Sequence, residues 1–175
     1  MPNKFTSRIY LVGMPASGKT TVGHILANRL SYQFYDTDAL IEREQGSSIP
    51  DIFQQEGELF FRDLEKKILE NTLPKNAVIS TGGGMPCFFE NMQFIKEHGT
   101  SVFINVPTEV LAQRAAVNVL SRPLLHSDLN LVRKLESTVE KRIQFYQQAD
   151  FTVNFIQQEP HVLSDEIIAL LGSVK

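Results

Sequence analysis

The sequence predicts an α/β fold: a parallel sheet with helices on both faces. Three observations lead there. Short apolar runs alternate with stretches of helical period from one end of the 175 residues to the other. A glycine-rich loop stands between the first apolar run and the first helical stretch. No internal repeat or low-complexity segment breaks the alternation.

Taken in order, the first strand is 8–12, where Ile9-Tyr10-Leu11-Val12 form an apolar run of buried-strand length. The helix at 20–30 follows, with Val22, Ile25, Leu26 and Leu30 at helical spacing. Further strands are expected at 33–35, 77–80, 101–106 and 151–154, and further helices at 40–45, 58–73, 88–97, 109–117, 129–148 and 162–171. In sheets of this kind ligands bind beyond the carboxyl ends of the strands, so residues directly after each strand are the candidates for chemistry. The stretch 118–128 has no helical period and contains Ser121, Pro123, His126 and Ser127, which predicts a mobile loop.

Composition narrows the function. The length suits one domain with a sizeable core, and the chain is expected to be one domain over 1–175. A net charge of −3 without a dense basic run argues against a nucleic-acid partner. No stretch is long enough to cross a bilayer, and the apolar run after the N-terminus is too short for a signal peptide. A single Cys87 excludes an internal disulfide and fits a reducing cytoplasm. The four histidines are scattered, so no structural zinc is expected.

The loop after the first strand reads Gly13-Met14-Pro15-Ala16-Ser17-Gly18-Lys19-Thr20 and fits G-x-x-x-x-G-K-[ST]. Its context of strand, loop and helix makes it a phosphate-binding loop. Glycines let successive N–H groups turn inward to phosphate oxygens, and the helix N-terminus adds its positive end. Lys19 would reach the β- and γ-phosphates and the Thr20 hydroxyl would ligate Mg²⁺. The sequence therefore predicts binding of a nucleoside triphosphate.

Other groups cluster after later strands. Asp36-Thr37-Asp38 follows the second; in extended backbone, side chains at i and i+2 share a face, so both carboxylates could meet the phosphates. One carboxylate would serve Mg²⁺ through water and the other would accept or orient a hydroxyl proton. Alternatively Asp38 only caps the next helix. After the third strand, Ser80-Thr81-Gly82-Gly83-Gly84 offers a hydroxyl for the outer magnesium shell and three residues without Cβ, against which a ligand can lie closely. Arg62 and Glu65 share a helix face, as do Arg142 and Tyr146 one turn apart, and Arg122 precedes Pro123 in the expected loop. Guanidinium forks suit a carboxylate ligand, but spacing alone does not bring these arginines together.

In order and approximate spacing, Gly13–Thr20, Asp36-Thr37-Asp38, Phe61-Arg62 with Glu65, Gly82-Gly83-Gly84, Arg122-Pro123-Leu124-Leu125 and Arg142…Tyr146 resemble the shikimate kinases. The resemblance covers about 8–160. It implies a five-stranded parallel sheet of the nucleoside-monophosphate-kinase type, a substrate-binding segment near 36–65 and a closing lid near 118–128. The implied reaction moves phosphate from MgATP to the 3-hydroxyl of shikimate, a step towards chorismate and the aromatic amino acids. By resemblance, Asp38, Lys19 and Arg122 would be catalytic. Gly13, Ala16, Ser17, Gly18, Thr20, Thr21, Arg114 and Pro160 would join Lys19 and Arg122 around ATP. Asp38, Arg62, Glu65, Gly83, Gly84, Arg142, Phe61 and Ile49 would form the shikimate site. Thr20 would hold Mg²⁺, with Asp36 and Ser80 acting through water. Ala16 stands where many relatives have glycine, Asn154 stands where aspartate is frequent, and 118–121 lacks the basic residues common before the lid. A cytoplasmic monomer acting on small molecules, without nucleic-acid or membrane partners, is the expectation. The rival readings are a gluconate kinase, a nucleotide-binding regulator without catalysis and, less readily, a nucleoside-monophosphate kinase.

Overall fold

The computed structural model describes residues 8–71, 73–120, 128–155 and 159–172, the side chains of 116–120 and 128–131 excepted. The described elements run β1 (Arg8–Val12), α1 (Lys19–Leu30), β2 (Gln33–Asp36), α2 (Thr37–Gln45), α3 (Ile49–Asn71), β3 (Ala77–Ser80), a 3₁₀ turn (Met85–Cys87), α4 (Asn91–His98), β4 (Thr100–Asn105), α5 (Thr108–Leu120), α6 (Asp128–Tyr146), β5 (Phe151–Asn154) and α7 (Pro160–Gly172). The strands form one sheet in the order β2-β3-β1-β4-β5, with every pair parallel. Consecutive residues of a strand face opposite sides, and Tyr10, Leu11 and Val12 are all completely buried. Helices therefore cover both faces at the centre of the sheet, which is why β1 and β3 read as near-continuous apolar runs, while the edge strands β2 and β5 are only partly buried.

This topology fixes the site. Strand β1 has β3 on one side and β4 on the other, so the loop after β1 opens between neighbouring crossovers. Register sets Ser80 against both Leu11 and Asp36, which places the ends of β1, β2 and β3 at one level.

Several boundaries differ from expectation, each for a local reason. Helix α3 begins at Ile49, not 58, because Ser48 caps it: the Asp51 N–H donates to Ser48 Oγ at 3.3 Å and Ser48 Oγ donates to Asp51 Oδ2. Gly57, with φ 83° and ψ 175°, breaks that helix before it continues as the expected segment. Helix α2 starts at Thr37 because Asp36, the last residue of β2, accepts from the N–H groups of Asp38 and Ala39. The helix expected from 88 starts at Asn91, after Phe89 and Glu90 take left-handed conformations. Residues 118–120, read as loop, continue α5, and Asp128 already belongs to α6. Arg122 and the rest of 121–127 lie outside the described residues.

Candidate active site

The loop between β1 and α1 is shaped by contacts that demand its glycines. A Cβ on Gly13 would sit 2.8 Å from the Ile104 carbonyl oxygen, and Gly18 has φ 92°. Ala16 is left-handed as well, at φ 63°, a conformation that costs a non-glycine residue about 1 kcal/mol. Its carbonyl accepts from Arg114 at 3.1 Å, which ties α5 to the loop. Gly18 precedes α1 without a side-chain cap, which leaves first-turn N–H groups able to bind an anion. Lys19 is buried and donates to the carbonyls of Gly13 at 2.9 Å and Met14 at 2.7 Å, and to Ser17 Oγ at 3.3 Å. Burial pulls its ammonium down to about 8, against the opposing pull of Asp38 and Asp36.

Beside it, Thr20 Oγ1 donates to Asp36 Oδ2 at 2.8 Å and lies 3.5 Å from Ser80 Oγ. Three oxygens from α1, β2 and β3 thus meet at the loop, a donor set suited to a hard divalent cation completed by water and phosphate. The other Asp36 oxygen caps α2, which fixes the carboxylate. Asp38 is not that cap. The extended-backbone argument does not apply to it either, since it stands in the first turn of α2.

Asp38 and Glu65 converge on Gly82. A Cβ there would lie 2.4 Å from Asp38 Oδ1 and 2.9 Å from Glu65 Oε1. Asp38 Oδ1 is buried without a hydrogen-bond partner among the described residues. Burial raises its carboxyl to about 6, with Asp36 adding to the rise and Lys19 opposing it. Burial likewise raises Glu65 to about 7 despite its bond from Arg62.

The arginines that spacing could not unite meet on adjoining glycines. A Cβ on Gly83 would stand 3.2 Å from an Arg142 Nη, and one on Gly84 would stand 2.4 Å from an Arg62 Nη. Arg62 is nearly buried, donates to Glu65 at 2.7 Å and Glu58 at 2.9 Å, and lies 4.3 Å from the Phe88 ring. Phe61, also buried, has its ring centre 5.3 Å from the same guanidinium, while Ile49 is half-buried at the start of α3. Cys87 is half-buried, and burial pushes its thiol up to about 11, so it is not a nucleophile near neutrality.

On the other side of the loop a cavity of about 490 Å³ is lined by Ala16, Ser17, Gly18, Lys19, Thr20 and Thr21. Arg114, Pro160 and Leu163 close it, together with Phe155, which sequence reading did not single out. Phe155 directly follows β5, at the strand end where ligands bind, and that position was the available signal. The Arg114 guanidinium lies 4.4 Å from its ring. Phe155→Ala removes that platform and is expected to raise the KM for ATP about fivefold or more while leaving the KM for the phosphate acceptor unchanged. Equal ATP affinity in the variant would show that the platform is idle.

The family model described as shikimate kinase matches residues 15–171. The chain belongs to the shikimate kinase family. A shikimate kinase of Persephonella marina is 42% identical over 161 residues, which is 91% of this chain and 96% of its relative. The structure of a shikimate kinase from Acinetobacter baumannii in complex with shikimate superposes with a TM-score of 0.88 at 38% identity, covering 98% of this chain and 96% of the other. A gluconokinase from Sinorhizobium meliloti shares the fold alone, at 17% identity and a TM-score of 0.57 over 98% of this chain and 95% of its own.

Proposed function

We propose that this shikimate kinase transfers the γ-phosphate of ATP to the 3-hydroxyl of shikimate through the residues gathered above. One observation carries the assignment. Asp38 Oδ1, buried and without a hydrogen-bond partner among the described residues, stands over the same glycine triplet on which Arg62 and Arg142 converge, within the field of Lys19. Such a pocket fits a small hydroxylated carboxylate.

Arg62 and Arg142 would receive the carboxylate, because their planar forks match its two oxygens. Glu65 and Glu58 hold the Arg62 fork in place, and Phe61 and Ile49 would bound the pocket. Gly83 and Gly84 have no Cβ, which lets the ring approach the backbone. Asp38 would accept or orient the proton of the attacking hydroxyl. Lys19 would leave its loop carbonyls for the phosphate oxygens, where the same charge neutralises the transferred group. Thr20, with Asp36 and Ser80 through water, would hold Mg²⁺. When bound, the ion supplies charge neutralisation at the β- and γ-phosphates. Arg122, between α5 and α6 in the sequence, would add charge at the phosphates. Arg114, Phe155 and Pro160 would flank the base. We place the protein in the cytoplasm as a monomer with small-molecule partners only; no helix among the described residues is long and apolar enough to cross a membrane.

The test is ADP release from MgATP with and without shikimate, with identification of the phosphorylated product and gluconate as the control acceptor. Release that depends on shikimate and not on gluconate is expected. Release without any acceptor, or dependence on gluconate, would overturn the reading.

A further inference from the structure

The glycine triplet forms the wall between Asp38 and the arginines, yet glycines have no side chains with which to hold their own position. Their backbone is held instead from both sides. The Gly82 N–H donates to Thr37 Oγ1 at 2.8 Å, and the Gly83 carbonyl accepts from the Tyr146 hydroxyl at 2.6 Å. Thr37 and Tyr146 are both completely buried. One step earlier, the Thr81 N–H and hydroxyl both donate to the Leu11 carbonyl at the end of β1.

These two clamps come from different parts of the site. Thr37 immediately precedes Asp38 at the start of α2. Tyr146 ends α6, one turn after Arg142. Its hydroxyl also lies 3.7 Å from the Met14 sulfur in the phosphate-binding loop, and its ring packs on Phe103 with centres 5.2 Å apart. Each hydroxyl group holds a backbone group of the triplet: Thr37 Oγ1 accepts from the Gly82 N–H, and the Tyr146 hydroxyl donates to the Gly83 carbonyl.

We infer that Thr37 and Tyr146 are positioning residues with separate effects. Thr37 sets the distance between Asp38 and the wall against which the acceptor rests, and Tyr146 sets Arg142 against the same wall. The inference rests on the shikimate reading above. It is measured relative to a wild-type enzyme whose shikimate dependence is established first, so failure of that reading appears in the wild type and failure of this inference only in the variants.

Thr37→Val keeps the shape and removes the acceptor. Tyr146→Phe removes one oxygen. Thr37→Val is expected to lower kcat about tenfold, the scale of one lost hydrogen bond with a buried partner left unmet, with the KM for shikimate nearly unchanged. Tyr146→Phe is expected to raise the KM for shikimate about tenfold with kcat nearly unchanged. Neither should move the KM for ATP or the magnesium dependence, and Thr37→Ser, which keeps the hydroxyl, should restore most of kcat. Melting temperature is followed in each variant. Variants that melt lower but keep wild-type kcat and KM would reduce both residues to structural support and overturn the inference. A shifted magnesium dependence in Thr37→Val would also overturn it, because the effect would then run through Asp36.

Discussion

Asp38→Asn is expected to lower kcat by about two to four orders of magnitude, the range for removing a positioned general base. Stability should move the other way. Asp38 Oδ1 has no hydrogen-bond partner among the described residues to lose, and the helix cap is supplied by Asp36, so the amide removes no described contact. Burial favours the uncharged form of Asp38, whose carboxyl is raised to about 6. Near neutrality the wild type therefore holds an ionised group in a place that disfavours it, and a neutral amide relieves that cost. The expected result is a melting temperature at or above that of the wild type, alongside unaltered ATP binding. This is the pattern of a site that gives up stability for chemistry. Single-turnover phosphate transfer and thermal unfolding on the same sample check it. Turnover close to wild type would remove Asp38 from the reaction.

The second large effect is expected at Arg62. Arg62→Ala removes the partner of Glu65, a carboxylate with 1% of its surface exposed, 2.7 Å from the lost guanidinium. Breaking a buried pair by deleting one member costs about 3–5 kcal/mol, because the survivor is left unpaired. The loss should depend on pH. Glu65 already holds its proton up to about 7 in the folded state, chiefly through burial, whereas the unfolded chain releases it near the ordinary carboxyl value. The folded state then binds more protons between roughly pH 4.5 and 7, so this group takes stability away as pH rises through that window. Without Arg62 the folded carboxyl moves higher still. The deficit of the variant is accordingly small near pH 5 and large near pH 8. Adding Glu65→Gln should recover much of the stability at pH 8 without restoring shikimate affinity, which separates the support of the fold from the grip on substrate. Denaturant unfolding at the two pH values checks this, and a deficit independent of pH would contradict it.

Much of this was readable from the chain. The strands at 8–12 and 77–80 match their observed bounds because buried parallel strands are short apolar runs, here ending before Gly13 and Thr81; the edge strand at 151–154 matches as well, although only Val153 of it is buried. The phosphate-binding loop was legible because backbone geometry itself demands glycine: Gly13 has no room for a Cβ and Gly18 is left-handed. The start signals stand in the sequence at α3, where Ser48 and Asp51 bond each other, and at α2, where Asp36 serves both as cap and beside Thr20. Residues 118–120, expected as loop from the Ser121 and Pro123 that follow, instead continue α5.

The sequence by itself determined the residue types, the elements that carry them and the order in which they follow the strands. Helical and strand periods are local, and so are the turn and cap preferences that end them. Tertiary structure alone decided that Arg62 and Arg142 meet on neighbouring glycines, that Asp38 and Glu65 share the space over Gly82, and that Phe155 lies under Arg114. Those distances depend on the register of β1, β2 and β3 and on how α3 and α6 return to the sheet. No spacing along the chain encodes them, because they come from packing between elements far apart in sequence.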